Sequence, residues 1–200
     1  MSTLTISNYT LKHFDLKAKA IMDEYLNLIN VDVSDYTFAG NYIWLSTATG
    51  FYTIVNDTFC LFILNSGELT MLLPPIGKKE NTYDAMIQCF EIMNSHNSNR
   101  NYSKIEYVHE ELLEGFVDYL EEGTLVYEML KDFIIEKKLV DYIYKVEDLI
   151  DLKGDSYKSK RNEINRFRNV YPNHKIEILD KEKHGSAVMA LFNKWVRDRT

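Results

Sequence analysis

The sequence is poor in the residues that define several common protein classes. It contains 2 cysteines, 3 prolines and 8 glycines among 200 residues. Two cysteines cannot build the disulfide framework of a small secreted domain. Cys60 and Cys89 both lie in apolar segments, so we expect two buried thiols. The scarcity of proline and glycine excludes a collagen-like or low-complexity chain.

Long apolar runs are also missing. Uninterrupted apolar runs such as Phe59–Leu64 are far shorter than the roughly 20 residues of a membrane-spanning helix. The N-terminus has no basic stretch followed by an apolar one, which is the pattern of a secretory signal. We therefore predict a cytoplasmic protein without a transmembrane segment.

The common signatures of catalysis and cofactor binding are absent too. Neither a G-x-x-x-x-G-K-[ST] nor a G-x-G-x-x-G loop occurs, and the 5 histidines are dispersed with no H-E-x-x-H among them. The sequence therefore predicts no metal site and no tightly bound cofactor. It also indicates no particular catalytic residue.

What the chain has is a strong division of charge. Its net charge is -7, but residues 1–152 carry 11 basic and 24 acidic side chains, whereas residues 153–200 carry 12 basic and 6 acidic ones. This division indicates two units with different partners. The basic unit could attract a phosphate-bearing ligand, an RNA or a lipid head group. Alternatively, a basic helix docks on the acidic part of the same chain.

The clearest structural signal is a three-stranded antiparallel meander. Phe51–Val55, Phe59–Leu64 and Leu69–Leu73 are apolar segments separated by the turn sequences Asn56-Asp57-Thr58 and Asn65-Ser66-Gly67. The two prolines that follow end the third strand.

Hydrophobic periodicity predicts the other elements of a mixed α/β chain of the α+β class. Expected helices are Leu11–Ile29, Tyr83–Asn94 with Thr82 as N-cap, Glu110–Tyr119, a helix from Asp155 or Ser156 to Asn169, and Glu182–Arg199. Expected strands are Ile105–Val108, Leu125–Leu130, Asp141–Val146 and Lys175–Leu179. Tyr36–Leu45 fits a helix or a loop, because its apolar positions match neither period.

The segment GDSYKSKRNEINRFRNVYP, residues 154–172, carries the candidate ligand-binding side chains. On a helix Lys158, Arg161, Asn165 and Arg168 share one face. Arginine can bind a phosphate with two parallel hydrogen bonds, and lysine acts as a point charge. We predict phosphate contacts from these four and from Lys160. The alternative is that Arg161 and Asn162 tie the helix to the acidic unit.

The same segment carries a family resemblance. The string DYIYKVEDLIDLKGDSYKSKRNEINRFRNVYPN, residues 141–173, resembles the junction of bacterial proteins of the phosphatidylglycerol lysyltransferase C-terminal-like family. SDYTFAGNYIW, residues 34–44, and LLPPIG, residues 72–77, resemble the N-terminal half of that family. The resemblance therefore covers almost the whole chain.

The resemblance implies two tandem GNAT-like acyltransferase domains, each with a mostly antiparallel central sheet. In this picture residues 1–146 form the first domain and residues 147–200 the N-terminal part of an incomplete second one. Related enzymes move an aminoacyl group from aminoacyl-tRNA to an amine or hydroxyl. The implied donors are aminoacyl-tRNA or an acyl-CoA, and an anionic lipid head group is an implied partner.

Two other functions remain open at this point. A truncated second domain without a complete active site would make the chain a non-catalytic binding module. Residues 153–200 could instead bind nucleic acid, although they show no helix-turn-helix pattern and no platform of alternating aromatic and basic residues. A truncated second domain would also leave Leu191, Phe192 and Trp195 without cover, which predicts a homodimer through the last helix.

Overall fold

The computed structural model describes residues 3–45, 48–110, 112–113, 133–136 and 140–199. Contacts divide the chain into two compact units, Met1–Asp141 and Tyr142–Thr200, and each is described by itself. The two GNAT-like domains implied by the resemblance stay a prediction. The predicted mixed α/β class with an antiparallel sheet is confirmed.

The first unit begins with a hairpin that the sequence analysis did not predict. Strands β1 (Thr3–Ile6) and β2 (Tyr9–His13) pair in antiparallel register. The predicted helix Leu11–Ile29 is therefore wrong over its first residues, and helix α1 covers only Ala18–Leu26. The error has a physical origin, because Leu11, Phe14 and Ala18 are all buried at a spacing of three and four residues that imitates a helix.

The predicted meander is confirmed. Strands β3 (Thr49–Val55), β4 (Thr58–Asn65) and β5 (Glu68–Met71) continue the sheet in the order β1-β2-β3-β4-β5, with antiparallel pairs throughout. Asn56 and Asp57 have φ of 46° and 54°, and Ser66 and Gly67 have φ of 52° and 88°. Two left-handed residues in a two-residue loop match the right-handed twist of the flanking strands.

Beyond β5 the sheet edge becomes irregular. The backbone leaves at Pro74 and Pro75 and returns as a short strand β6 (Ile76–Gly77), which pairs with Thr58 and Phe59 of β4. The predicted strand Ile105–Val108 is reduced to one parallel bridge between Ile105 and Met71. The two segments separate after a hydrogen bond of 2.8 Å from the Tyr107 N–H to the Leu72 carbonyl.

Helices cover both faces of this sheet. The segment Tyr36–Leu45, which fits a helix or a loop by sequence, is largely helical, because helix α2 spans Phe38–Trp44. The side chain of its N-cap, Thr37, accepts a 3.1 Å hydrogen bond from the Gly40 N–H. Helix α3 spans Lys79–His96, so Thr82 as its N-cap was wrong. The Thr82 hydroxyl lies inside the helix and donates back to the Lys78 carbonyl at 3.0 Å.

Strand β4 separates the two largest hydrophobic clusters of the unit. Phe59, Leu61 and Ile63 pack with residues of α1 and α2, whereas Cys60 and Phe62 pack with residues of α3. Burial on both faces explains why this strand is one continuous apolar run. Cys60 and Cys89 are free, buried thiols in the α3 cluster, as predicted.

The regular elements described in the second unit are all helical. It contains α4 (Val146–Asp151), a 3-10 turn (Asp155–Tyr157), α5 (Lys158–Val170) and α6 (Lys181–Arg197). The predicted helices at residues 155–169 and 182–199 are thus confirmed within a few residues at each end.

The two strands predicted near this unit, Asp141–Val146 and Lys175–Leu179, are wrong, since the first leads into α4 and the second is irregular. Ile176 and Ile178 alternate with polar residues but are 93% and 94% exposed, with no partner strand among the described residues of the unit.

Two predicted elements have little or no structural description. The strand Leu125–Leu130 lies outside the described residues. Within Glu110–Tyr119 only residues 110, 112 and 113 are described, and they are helical.

Candidate functional site

The candidate site is built on the junction between α4 and α5. Helix α4 ends at Asp151, and its C-cap Leu152 has a left-handed backbone with φ of 47° and an N–H that donates to the Asp148 carbonyl at 2.8 Å. Gly154 follows with φ of 84°, a conformation that favours glycine. These two residues reverse the backbone before the 3-10 turn and place the start of α5.

Arg161 closes this junction. Its Nη1 donates to the carbonyl oxygens of Leu152 and, at 2.7 Å, of Gly154. A charged donor shared by two carbonyls stabilises the connection between the helices. The sequence predicts Arg161 as a phosphate contact. In the structure its guanidinium binds two backbone carbonyls of the loop that precedes α5.

The helix brings most of the predicted set to one face. Lys158, Arg161, Asn165 and Arg168 follow one another at spacings of three, four and three residues along α5. Lys160 lies on a different side of the helix and pairs with Glu163 at 3.1 Å. Among the residues that the structure describes, none forms an ion pair with Lys158 or Arg168. Within the described residues the face therefore presents three cations without a carboxylate partner and one amide, and only Arg161 among these cations donates to backbone carbonyls.

An aromatic cluster lies at the C-terminal end of the same helix. The Phe167 ring is 5.1 Å from the Tyr171 ring and 5.1 Å from the His174 ring, measured between centroids. The His174 Nδ1 is 2.7 Å from the Tyr171 carbonyl oxygen, which orients the imidazole. With Pro172 these residues surround an open depression of about 500 Å³. Arg168 comes directly after Phe167 in the helix.

Sequence reasoning missed this cluster. Phe167 and Tyr171 are four residues apart, so both lie on one side of the helix, and that spacing alone indicates only an apolar stripe. The turn at Pro172 and Asn173 is what brings His174 back onto Phe167. A pattern of aromatic residues on both sides of a helix-ending proline is the signal that could have indicated it.

Comparison with known proteins identifies the family. The sequence pattern of the phosphatidylglycerol lysyltransferase C-terminal family matches residues 26–200, which is most of the chain and includes the whole junction. This chain belongs to that family. No curated protein and no solved structure matches it.

The match confirms the resemblance derived from the junction residues and extends it upstream into α1. Members of the phosphatidylglycerol lysyltransferase C-terminal family are lysyltransferase-like, so the chain is a transferase-type domain. Within the described parts of the chain, no helix has the length and apolar character needed to cross a membrane.

Proposed function

We propose that the chain takes part in aminoacyl transfer from aminoacyl-tRNA to an amine or hydroxyl, and that the α5 face binds phosphates of the donor. The observation that carries the proposal is that Lys158 and Arg168, on one face of a helix, form no ion pair with any described residue. They are ten residues apart, about 15 Å along the helix axis, so each would bind a separate phosphate of one strand through charged hydrogen bonds. Asn165 between them adds a neutral donor.

The aromatic cluster at residues 167–174 supports an RNA rather than a free phosphate. Bases of single-stranded RNA stack on exposed aromatic rings, and this is worth about 1–3 kcal/mol per base. Phe167 and Tyr171 are about half exposed, and they adjoin Arg168. A single-stranded end could therefore place phosphates on the cations and a base on the rings at the same time.

The family name indicates a lysyl group and phosphatidylglycerol as the first donor and acceptor to test. In the proposed step the acceptor oxygen forms a bond to the carbonyl carbon of the aminoacyl ester. The bond from that carbon to the ribose oxygen breaks, and the acceptor's proton ends on the released ribose hydroxyl. We assign α5 a positioning role, because holding the ester in line is a large part of what such a reaction needs.

Binding is the first test. Fluorescence anisotropy with unacylated lysine tRNA would compare the wild type, Lys158→Ala/Arg168→Ala and a matched control, Arg166→Ala/Lys175→Ala. Both variants lose two positive charges, but only the first removes them from the proposed face. We expect at least a tenfold loss of affinity in the first and less than a threefold loss in the control. Equal losses would contradict a defined phosphate site.

Transfer is the second test. Lysyl-tRNA carrying radioactive lysine is incubated with the chain and vesicles that contain phosphatidylglycerol, and labelled lipid is counted. Label that appears in the lipid, and falls in the Lys158→Ala/Arg168→Ala variant, supports the proposed reaction. Binding without transfer would favour the alternative of a non-catalytic binding module, which uses the same face.

A further inference from the structure

Helix α6 has an apolar face that is largely exposed. Val188, Leu191, Phe192 and Trp195 follow the spacing of one side of a helix, and they are 46%, 69%, 51% and 50% exposed. The Phe192 and Trp195 rings stack with their centroids 6.2 Å apart. These four side chains form one contiguous surface, which we name the α6 apolar face.

A cation lies at each end of this face. Lys181 is seven residues before Val188, so two turns of helix place it on the same side. At the other end the Arg199 guanidinium carbon is 4.4 Å from the centre of the Trp195 ring. Within the described parts of the chain, neither Lys181 nor Arg199 forms an ion pair with a carboxylate.

The carboxylates at the start of α6 are engaged with neighbours or lie on another side. The Asp180 carboxylate accepts from the Lys183 N–H at 2.7 Å. Glu177 pairs with the Lys183 ammonium and lies 3.3 Å from the His184 Nε2. Glu182 lies about 120° around the helix from the centre of the apolar face. The N-terminal end of the face therefore presents positive rather than negative charge.

This combination is typical of a helix that lies in the surface of a bilayer. Such helices bury Trp, Phe and Leu side chains at the boundary between head groups and acyl chains, while lysines and arginines reach the phosphates. Aromatic residues with a polar edge, such as tryptophan, favour the same boundary.

Charge selects the kind of partner. Residues 153–200 carry 12 basic and 6 acidic side chains, and within them residues 180–199 carry 5 basic and 3 acidic ones. An anionic lipid surface attracts this unit, whereas it repels residues 1–152 with their 11 basic and 24 acidic side chains. A second copy of the α6 apolar face would bring like charges together. The charge therefore favours an anionic bilayer over self-association.

We propose that α6 docks flat on an anionic lipid bilayer. Leu191, Phe192 and Trp195 enter the boundary between head groups and acyl chains, and Lys181 and Arg199 contact lipid phosphates. The contact depends on the negative charge of the surface and not on one particular head group. The proposal does not depend on tRNA binding or on aminoacyl transfer.

Vesicles of different head groups test the partner. The full chain is sedimented with vesicles of phosphatidylcholine alone, or with an equal fraction of either phosphatidylglycerol or phosphatidylserine added. We expect saturable binding to both anionic mixtures within twofold of each other, and at least tenfold weaker binding to phosphatidylcholine alone. Binding to phosphatidylglycerol alone would indicate recognition of one head group, as an acceptor site requires, and would overturn the proposal. Absence of binding to both anionic mixtures would also overturn it.

A pair of double variants tests the location. Leu191→Ser/Trp195→Ser removes two side chains of the α6 apolar face and should weaken binding to anionic vesicles at least tenfold. Ile43→Ser/Trp44→Ser is the matched control, since these residues of α2 are 66% and 79% exposed, and it should weaken binding less than twofold. All four positions are on the surface, and thermal melting confirms that both variants are folded. Equal losses would show general stickiness and overturn the assignment to α6.

The fluorescence of Trp195 distinguishes insertion from self-association. The chain contains 2 tryptophans, so Trp195 is the only one left in a Trp44→Phe background. Anionic vesicles should shift its emission to shorter wavelength, and lipids brominated in the acyl chain should quench it. If the emission does not change, and Trp195→Ser converts a dimer into a monomer in sedimentation velocity, a second copy covers the face and the proposal is wrong.

The two cations at the ends of the face test the electrostatic part. A cation near an anionic surface contributes about fivefold to affinity, so Lys181→Gln/Arg199→Gln should weaken binding to anionic vesicles at least fivefold. Lys12→Gln/Lys17→Gln, which removes two exposed lysines of the first unit, should not weaken it. An unchanged affinity in the first variant would contradict the phosphate contacts and overturn the choice of an anionic partner.

Discussion

The two units of the chain use similar side chains in opposite ways. In Met1–Asp141 the large apolar residues form clusters around β4, and several, including Phe59 and Phe62, are completely buried. In Tyr142–Thr200 no described residue is buried, and Phe192 and Trp195 of α6 are about half exposed. The first unit is therefore held together by apolar burial, whereas the second depends on local helix formation and on hydrogen bonds at its junctions.

The largest expected effect comes from the core of the first unit. Phe59→Ala removes a ring that stacks on Tyr52 at 5.2 Å and leaves a cavity, so it should cost about 3–5 kcal/mol of unfolding free energy. Phe192→Ala in α6 removes the same side chain from a half-exposed position and should cost less than about 1 kcal/mol. Urea denaturation followed by circular dichroism measures both. Similar costs would show that the two units do not differ as described.

A smaller loss of stability is expected from a change at the junction between α4 and α5. Arg161→Ala removes the donor to the Leu152 and Gly154 carbonyls and should lower the local stability of α5 by about 1–3 kcal/mol. Arg166→Ala, on the same helix, serves as the control because no described residue forms an ion pair with Arg166. Hydrogen exchange of the α5 amides reports the change. Faster exchange in both variants, to the same extent, would mean that helix propensity rather than the junction is responsible.

The smallest expected effect concerns a titrating group of the first unit. Partial burial, with a contribution from the nearby Asp141, raises the pKa of the Asp35 carboxyl above its ordinary value of 3.8. The folded state therefore holds the proton more tightly than the unfolded state, and this group costs stability as pH rises from about 3.8 through the raised pKa. Asp35→Asn should raise the melting temperature at pH 7.

That gain should disappear as the pH falls below the ordinary pKa of an aspartic acid. Melting curves of the wild type and Asp35→Asn between pH 3 and pH 7 measure the difference. A difference that stays constant across this range would mean that a hydrogen bond or packing change, and not the charge, is responsible.

Elements whose signal is local were predictable from the sequence. The meander follows from the two-residue turns Asn56-Asp57 and Ser66-Gly67. All four residues adopt the left-handed conformation that such turns require. The face of α5 follows from residue spacing alone. By contrast, Lys175–Leu179 alternates apolar and polar residues as a strand does, but it is irregular in the structure. A strand forms only where another strand pairs with it, and the local sequence does not show whether a pairing strand exists.

The site shows the same limit. Spacing placed Lys158, Arg161, Asn165 and Arg168 together, but it could not show that two backbone carbonyls of the preceding loop accept from Arg161. That contact depends on the left-handed backbone at Leu152 and Gly154. The contact of His174 with Phe167 likewise depends on the turn at Pro172, which folds the His174 ring back onto a side chain seven residues earlier.

The salt dependence of tRNA binding tests the central claim most directly. Each phosphate neutralised by a cation contributes about 0.7–0.9 to the slope of log affinity against log salt concentration. We predict that Lys158→Ala/Arg168→Ala reduces this slope by about 1.4–1.8 relative to the wild type, because two phosphate contacts are lost. A slope equal to that of the wild type would show that these cations do not contact phosphates and would contradict the account.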